Sequence, residues 1–191
     1  MEALQELGIQ IIQAIQVLMP TLDTLMEFFT FLGKIEFYML FVTFLYWIVD
    51  PSLGFRVLMV LLSTDIVTNT FKQLLHQPRP YWLGDVQHLP GSEETSYGIP
   101  SSHASDSLAV WGYIAYQVRN RWMWITSIGM ILLISFSRLY LGVHFPHDLI
   151  AGWLIGLIVL LLFIKFENQV ATYLKAQSQT YQIGFGFMIS I

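Results

Sequence analysis

A series of long apolar runs constrains this chain more than any other feature. Residues 53–75, 102–118, 122–141 and 146–166 each approach the roughly 20 residues that a helix needs to cross a bilayer, and 36–49 forms a shorter run. Only 12% of the 191 residues are charged, against about 25% in soluble domains, so the polar surface that water demands is missing. The expected fold is all-α: a multi-pass transmembrane helical bundle of about five to six membrane helices, with no length left for a separate soluble domain.

Ahead of the bundle, Leu4, Leu7, Ile11, Ile12, Ile15 and Leu18 recur at helical spacing, with Gln10, Gln13 and Gln16 largely between them. That pattern suits a helix lying in the membrane interface. Pro20 breaks it, and a second amphipathic stretch runs to about Leu32. The expected organisation is interfacial amphipathic helices over 1–34, a membrane bundle over 35–166, and a tail over 167–191 whose apolar close reads as the start of a further membrane segment. The N-terminus carries acids where a signal peptide carries basic residues, and is expected to belong to the mature chain. The lack of cysteine excludes disulfides and thiolate metal sites. A net charge of −4 gives no support for a nucleic-acid partner.

Counting spans sets sidedness. The turns at 50–56 and 119–121 and the segment after 165 share one side and hold Arg56, Arg119, Arg121, Lys165 and Lys175. The positive-inside rule makes that side cytoplasmic. The opposite side holds Lys34, Lys72, Arg79 and Arg138, together with the one long polar loop, 77–99. The expected location is a cell (inner) membrane with this second face toward the periplasm or exterior.

Polar residues inside so apolar a chain are informative, because ionisable groups at membrane depth are costly. Asp65, Asn69, Lys72 and His76 are spaced to form one stripe on one helix face, either a functional cavity or a hydrogen-bonded seam between helices. The roles of Asp65 and Asp106 stay open at this point. Three segments at outward helix ends, KQLLHQPRP (72–80), GIPSSHASD (98–106) and SRLYLGVHFPHD (137–148), gather the remaining cations and histidines. Span counting alone puts them on one membrane side.

Such a cluster has the parts for phosphoryl transfer. Lys72, Arg79 and Arg138 are three fixed cations, two of them guanidinium forks suited to phosphate oxygens. Ser101 or Ser102 caps a helix whose free N–H groups and dipole favour an anion. His144 precedes Pro146 at the start of the last helix. Asp148, four residues on, can accept from one ring nitrogen and leave the other free to attack. His103 is placed to act as the acid that protonates a departing alkoxide. His147 reads as a second titrating group or a first-turn surface residue.

These blocks resemble the signature of the type 2 phosphatidic-acid phosphatase (lipid phosphate phosphatase and haloperoxidase) superfamily, in its integral membrane branch. K-x6-R-P is met by Lys72, Arg79 and Pro80, and S-R-x5-H-x3-D by Ser137, Arg138, His144 and Asp148. P-S-G-H is present as Pro100, Ser101, Ser102 and His103, with Ser for Gly. The resemblance covers about residues 25–166. It implies His144 as nucleophile, Asp148 as its orienting partner and His103 as acid. It further implies Lys72, Arg79, Ser101, Ser102 and Arg138 as phosphate-holding residues, with no metal or other cofactor.

The implied partner is a lipid phosphate among membrane lipids: phosphatidic acid, phosphatidylglycerol phosphate, a sphingoid-base phosphate or a polyprenyl (di)phosphate. The loop at 81–99, with Asp85, His88, Glu93 and Glu94, is expected to shape head-group access, and its acids to disfavour a highly anionic head. Rival readings are a phosphotransferase passing phosphate or a head group between lipids, and a non-catalytic lipid-phosphate binder or transporter. The haloperoxidase relatives are soluble, so the spans argue against their chemistry.

Overall fold

The computed structural model describes residues 2–84, 86–89 and 92–177; Asp85 and the apolar stretch 181–191 lie outside the described residues. Among the described residues seven α-helices follow in order: α1 (Glu2–Gln16), α2 (Asp23–Phe31), α3 (Ile35–Phe44), α4 (Pro51–Leu75), α5 (Ser102–Val118), α6 (Arg121–Tyr140) and α7 (Pro146–Lys175). A π-turn, Leu45–Val49, prolongs α3, and a 3₁₀ turn, Pro80–Trp82, interrupts the long loop. The chain is a helical membrane bundle, as its apolar runs require.

Local chemistry sets the helix ends. Asp50 accepts a hydrogen bond from the Leu53 N–H at 2.7 Å, and Pro51 takes the first helical position, where its missing N–H costs nothing. His76 closes α4 in the left-handed conformation, φ 49°, with its N–H on the Lys72 carbonyl. Asn120 caps α6 by accepting from the Trp122 N–H at 2.9 Å. α6 then ends at a tight turn in which Gly142 holds φ +68°, a value that side chains with a Cβ avoid. Gln16 from α1 ties that turn down by donating to the Tyr140 carbonyl at 3.2 Å and the Gln87 carbonyl at 2.6 Å.

α4, α6 and α7 each have the length and apolarity to cross a bilayer. α2 and α3 with its π-turn meet that test only together, bent by 58°. α5 is shorter, and most of its residues are buried between its neighbours, Ala104 to Ser107 and Ala109, Val110 and Gly112 to Ala115 among them. Outward-facing side chains such as Leu40, Trp47, Ile66, Leu74, Ile125 and Leu154 are exposed, as lipid-facing residues are.

The chain divides into two units, Met1–Leu160 and Leu161–Ile191. In the second, α7 continues to Lys175, past the expected end at Phe166. The apolar run stops there, but Glu167, Gln169, Ala171 and Leu174 are good helix formers, so the loss of hydropathy does not end the helix. α2 also differs from a helix lying loosely at an interface. Met26 and Thr30 are buried, and Met26 packs in one cluster with Tyr140, Leu141 and Val143.

The buried polar face of α4 is Thr64, Thr68 and Lys72, and Asn69 and His76 are exposed. The expected stripe was rotated because Asn and Thr are equally polar on paper, whereas the short Thr68 hydroxyl can donate to Ser105 on α5 at 2.9 Å. Close contact of α7 with α5 uses two glycines. A Cβ at Gly152 would lie 2.6 Å from the Ser101 carbonyl oxygen, and one at Gly156 would lie 2.5 Å from that of Ser105. Such small residues four apart let helix backbones approach. Gly156→Val is expected to destabilise the protein by about 1–3 kcal/mol, as forced overpacking does. Thermal unfolding in detergent checks this, with Gly129→Ala, whose Cβ meets nothing within 4 Å, as the silent comparison.

Candidate active site

The three polar segments meet at one end of the bundle. The Ser101 N–H donates to the Asp148 carbonyl at 3.0 Å, joining the start of α5 to the first turn of α7. The Val143 N–H donates to the Arg138 carbonyl at 3.2 Å, folding the end of α6 back on the turn that carries His144. Arg79, Ser101, His144 and Asp148 are fully buried, and Arg138 and Lys72 nearly so. Every residue of the expected site therefore lies on these three segments, and six of them are sealed inside.

Arg79 is the hub. Its Nη1 donates to the Val143 carbonyl at 2.9 Å and lies 3.2 Å from His144 Nε2. Its Nε donates to the Ser96 carbonyl at 2.6 Å, and its Nη2 to Ser96 Oγ at 3.0 Å and the Tyr97 carbonyl at 3.2 Å. The remaining partner is Glu94, whose Oε2 sits 2.6 Å from Arg79 Nη2 while Oε1 pairs with Arg138 Nη2. Lys72 Nζ donates to Ser96 Oγ at 3.3 Å. Burial works to raise the Glu94 carboxyl, but Arg138, His103, Arg79 and Lys72 outweigh it and hold it at about 2.

His144 is oriented from both sides. Its Nδ1 is 3.2 Å from Asp148 Oδ2, which also accepts from the Phe145 N–H at 2.9 Å. Arginine can only donate, so the Arg79 contact makes Nε2 the acceptor and puts the ring proton on Nδ1, toward Asp148. Burial first, then Arg79, Arg138 and Lys72, push the imidazole well below its ordinary range, and it is uncharged at neutral pH. His147 is half-buried, stacks on Phe145 with ring centroids 5.0 Å apart, and places Nε2 3.4 Å from Asp148 Oδ1.

Ser101 occupies the N-cap position of α5 in extended conformation, yet its hydroxyl caps nothing. Ser101 Oγ, His103 Nε2 and Arg138 Nε are buried and have no hydrogen-bond partner among the described residues. Burying polar groups unpaired is costly, and an acceptor-rich group at this end of the bundle would satisfy the Ser101 hydroxyl and the Arg138 Nε–H. A phosphate, which offers acceptors on every side, has that chemistry.

Two participants escaped the sequence reading. Thr30 on α2 accepts from Arg138 Nη1 at 2.9 Å and pairs with Ser137 Oγ at 2.9 Å. Nothing in its local sequence separates it from any other membrane threonine. Glu94 was named only among the loop acids expected to shape head-group access; it stands between the two arginines. Tyr81 fixes it there, its hydroxyl donating to the Glu94 carbonyl at 2.8 Å and accepting from the Glu94 N–H at 3.0 Å.

Comparison with known proteins gives the family. The model of the PAP2 superfamily matches residues 53–171. An undecaprenyl-diphosphatase of Sulfolobus acidocaldarius is 31% identical over 78% of this chain and 72% of its own. Sphingosine-1-phosphate phosphatase 1 of Mus musculus is 29% identical over 80% of this chain, which spans 36% of that longer protein. The fold is shared with the PAP2-type phosphatidylglycerolphosphate phosphatase of Bacillus subtilis, at a TM-score of 0.74, 24% identity and 89% coverage of both chains. It is shared equally with Aquifex aeolicus LpxE, at a TM-score of 0.74 and 23% identity over 83% of this chain and 95% of that one. With the family model matching more than half of its length, the chain belongs to the PAP2 superfamily, as one of its membrane phosphatases.

Proposed function

We propose that the chain hydrolyses the phosphomonoester or diphosphate head of a lipid through a phosphohistidine on His144, without a metal. The observation that carries this reading is the line Arg79–His144–Asp148. A buried neutral imidazole has its proton turned to a carboxylate and its free lone pair turned to a guanidinium suited to phosphate.

In the first step the lone pair of His144 Nε2 attacks phosphorus and the bond to the lipid oxygen, or to the leaving phosphate, breaks. His103, charged as an imidazolium once the anionic substrate is bound, gives that leaving oxygen its proton and is left neutral. In the second step His103 takes a proton from water as the water attacks the phosphohistidine, inorganic phosphate departs and His144 returns to its neutral form. Asp148 stabilises the charge that develops on the ring. Lys72, Arg79, Arg138, the Ser101 hydroxyl and the uncapped first-turn N–H groups of α5, Ser102 included, neutralise the phosphoryl oxygens. Three protein cations supply the charge that a metal supplies elsewhere, so the scheme requires none.

The names of the two relatives, one a diphosphatase of a polyprenyl chain and one a phosphatase of a sphingoid phosphate, support a substrate whose tail stays in the bilayer. The distribution of Lys and Arg supports a site on the outward face of a cell membrane.

Purified protein in detergent is expected to release phosphate from a lipid phosphate in the presence of EDTA. His144→Ala should lower turnover by about four orders of magnitude or more. Full activity in that variant would refute the nucleophile. His103→Asn should slow hydrolysis of an alkyl phosphomonoester about 10²–10⁴-fold. On a diphosphate the same variant should lose far less, because the leaving group is itself a phosphate and departs without a proton. Equal losses on both substrates, measured as kcat/KM, which reports the phosphorylation step and not the later hydrolysis, would take the acid role from His103.

A further inference from the structure

Resting on the reading that Arg79 and Arg138 hold the substrate phosphate, we propose that Glu94 sets the affinity threshold of the phosphate site. It is a resident counter-anion that every incoming head group must displace, and it sets a threshold that singly charged phosphodiester heads do not clear.

The geometry is that of a substrate mimic. The two oxygens of one carboxylate bridge two guanidinium forks, Oε2 on Arg79 and Oε1 on Arg138, as two oxygens of a phosphoryl group would. Its backbone is stapled by Tyr81 through both N–H and carbonyl, which leaves the side chain as the part free to move. That side chain is 27% exposed against 0% for Arg79, so it enters the cluster from the open side. It borders a cavity of about 220 Å³ lined by two further acids, Glu27 and Glu93, and by Thr30, Lys34, Ser92, Arg138 and Leu141. A displaced carboxylate can turn into this space, where Lys34, a cation the catalytic scheme does not use, offers a new partner. At about 2, the pKa of Glu94 keeps it ionised at any working pH.

The need for such a residue follows from where the site lies. Three buried cations at a membrane face meet phosphodiester lipids at concentrations far above any lipid phosphate, and bare cations would be occupied by those bystanders. A phosphodiester brings one negative charge, the same as the carboxylate it must replace, and gains nothing from the exchange. A phosphomonoester brings about −1.5 to −2 at neutral pH, and a diphosphate more, so each repays the displacement. Glu94 thus lowers the affinity of every head group by a similar factor, and at a given lipid concentration only the more highly charged heads still bind.

The test compares full-length wild type with Glu94→Gln in detergent. The probes are inorganic phosphate, octylphosphonate as a dianion and its monomethyl ester as a monoanion. Because the cost removed is the same for every ligand, all three should bind the variant tighter by a similar factor, at least about tenfold. In parallel, phosphatidylglycerol should become an inhibitor of the variant at mole fractions that leave the wild type unaffected. No gain, or weaker binding of all probes, would make Glu94 a positioning residue for the arginines and overturn the proposal. A gain confined to the dianions would show that the carboxylate stays and repels, and would overturn it too. If Glu94→Gln does not fold by thermal unfolding, Glu94→Asp, one methylene too short to bridge both forks, carries the same criterion. Arg79→Met and Arg138→Met in the same assay separate the two readings. If they leave phosphate binding intact the arginine cradle itself fails, and if they abolish it while Glu94→Gln shows no gain only the threshold fails.

Discussion

Two guanidinium groups buried at the end of an apolar bundle govern the rest of this structure. A charge taken out of water must find partners, and removing one partner of a buried pair typically costs about 3–5 kcal/mol. Arg79 meets that demand with acceptors from Val143, Ser96, Tyr97 and Glu94, and Arg138 with Glu94 and Thr30. Those partners come from the long loop, the turn before α7, and α2. Satisfying two side chains therefore draws together most of the connections on that face.

The same demand is met differently on the two sides of the site. Toward the bundle, His144 is pinned by Asp148, whose carboxylate also holds the Phe145 N–H, and the Gly152 and Gly156 contacts seat α7 against the start of α5. Toward the loop, the contacts to the arginines are made by backbone carbonyls, the Ser96 hydroxyl and one carboxylate. Pre-organised donors facing an exchangeable acceptor are what the proposed chemistry asks of a phosphate site: fixed charges that need no reorganisation when the phosphoryl group arrives.

α1 and α2 belong to this arrangement more closely than amphipathic anchors need. Ile12 is buried with Phe145 and Val86, Gln16 binds the turn at Tyr140, and Thr30 holds Arg138. The segments ahead of the bundle thus buttress the His144 turn and one of the two arginines. Their apolar outer residues, Leu4, Leu7 and Val17 among them, stay exposed as an interfacial helix requires.

The sequence by itself determined the helical membrane class and the helix positions to within a few residues except at the end of α7, and it named eight residues for the site. Apolar run length and the K-x6-R-P, P-S-x-H and S-R-x5-H-x3-D spacings are local properties that survive without coordinates. Three things were decided only in three dimensions. The buried face of α4 turned out to be Thr64, Thr68 and Lys72, because helix rotation is chosen by which hydroxyl finds a partner across the interface, and spacing alone is blind to that partner. Thr30 entered the site because α2 packs on α6, a contact more than a hundred residues apart in the chain. Glu94 lies between Arg79 and Arg138 because two desolvated cations recruit the nearest carboxylate a stapled loop can deliver. Which loop acid that is depends on the fold of the loop, not on its charge.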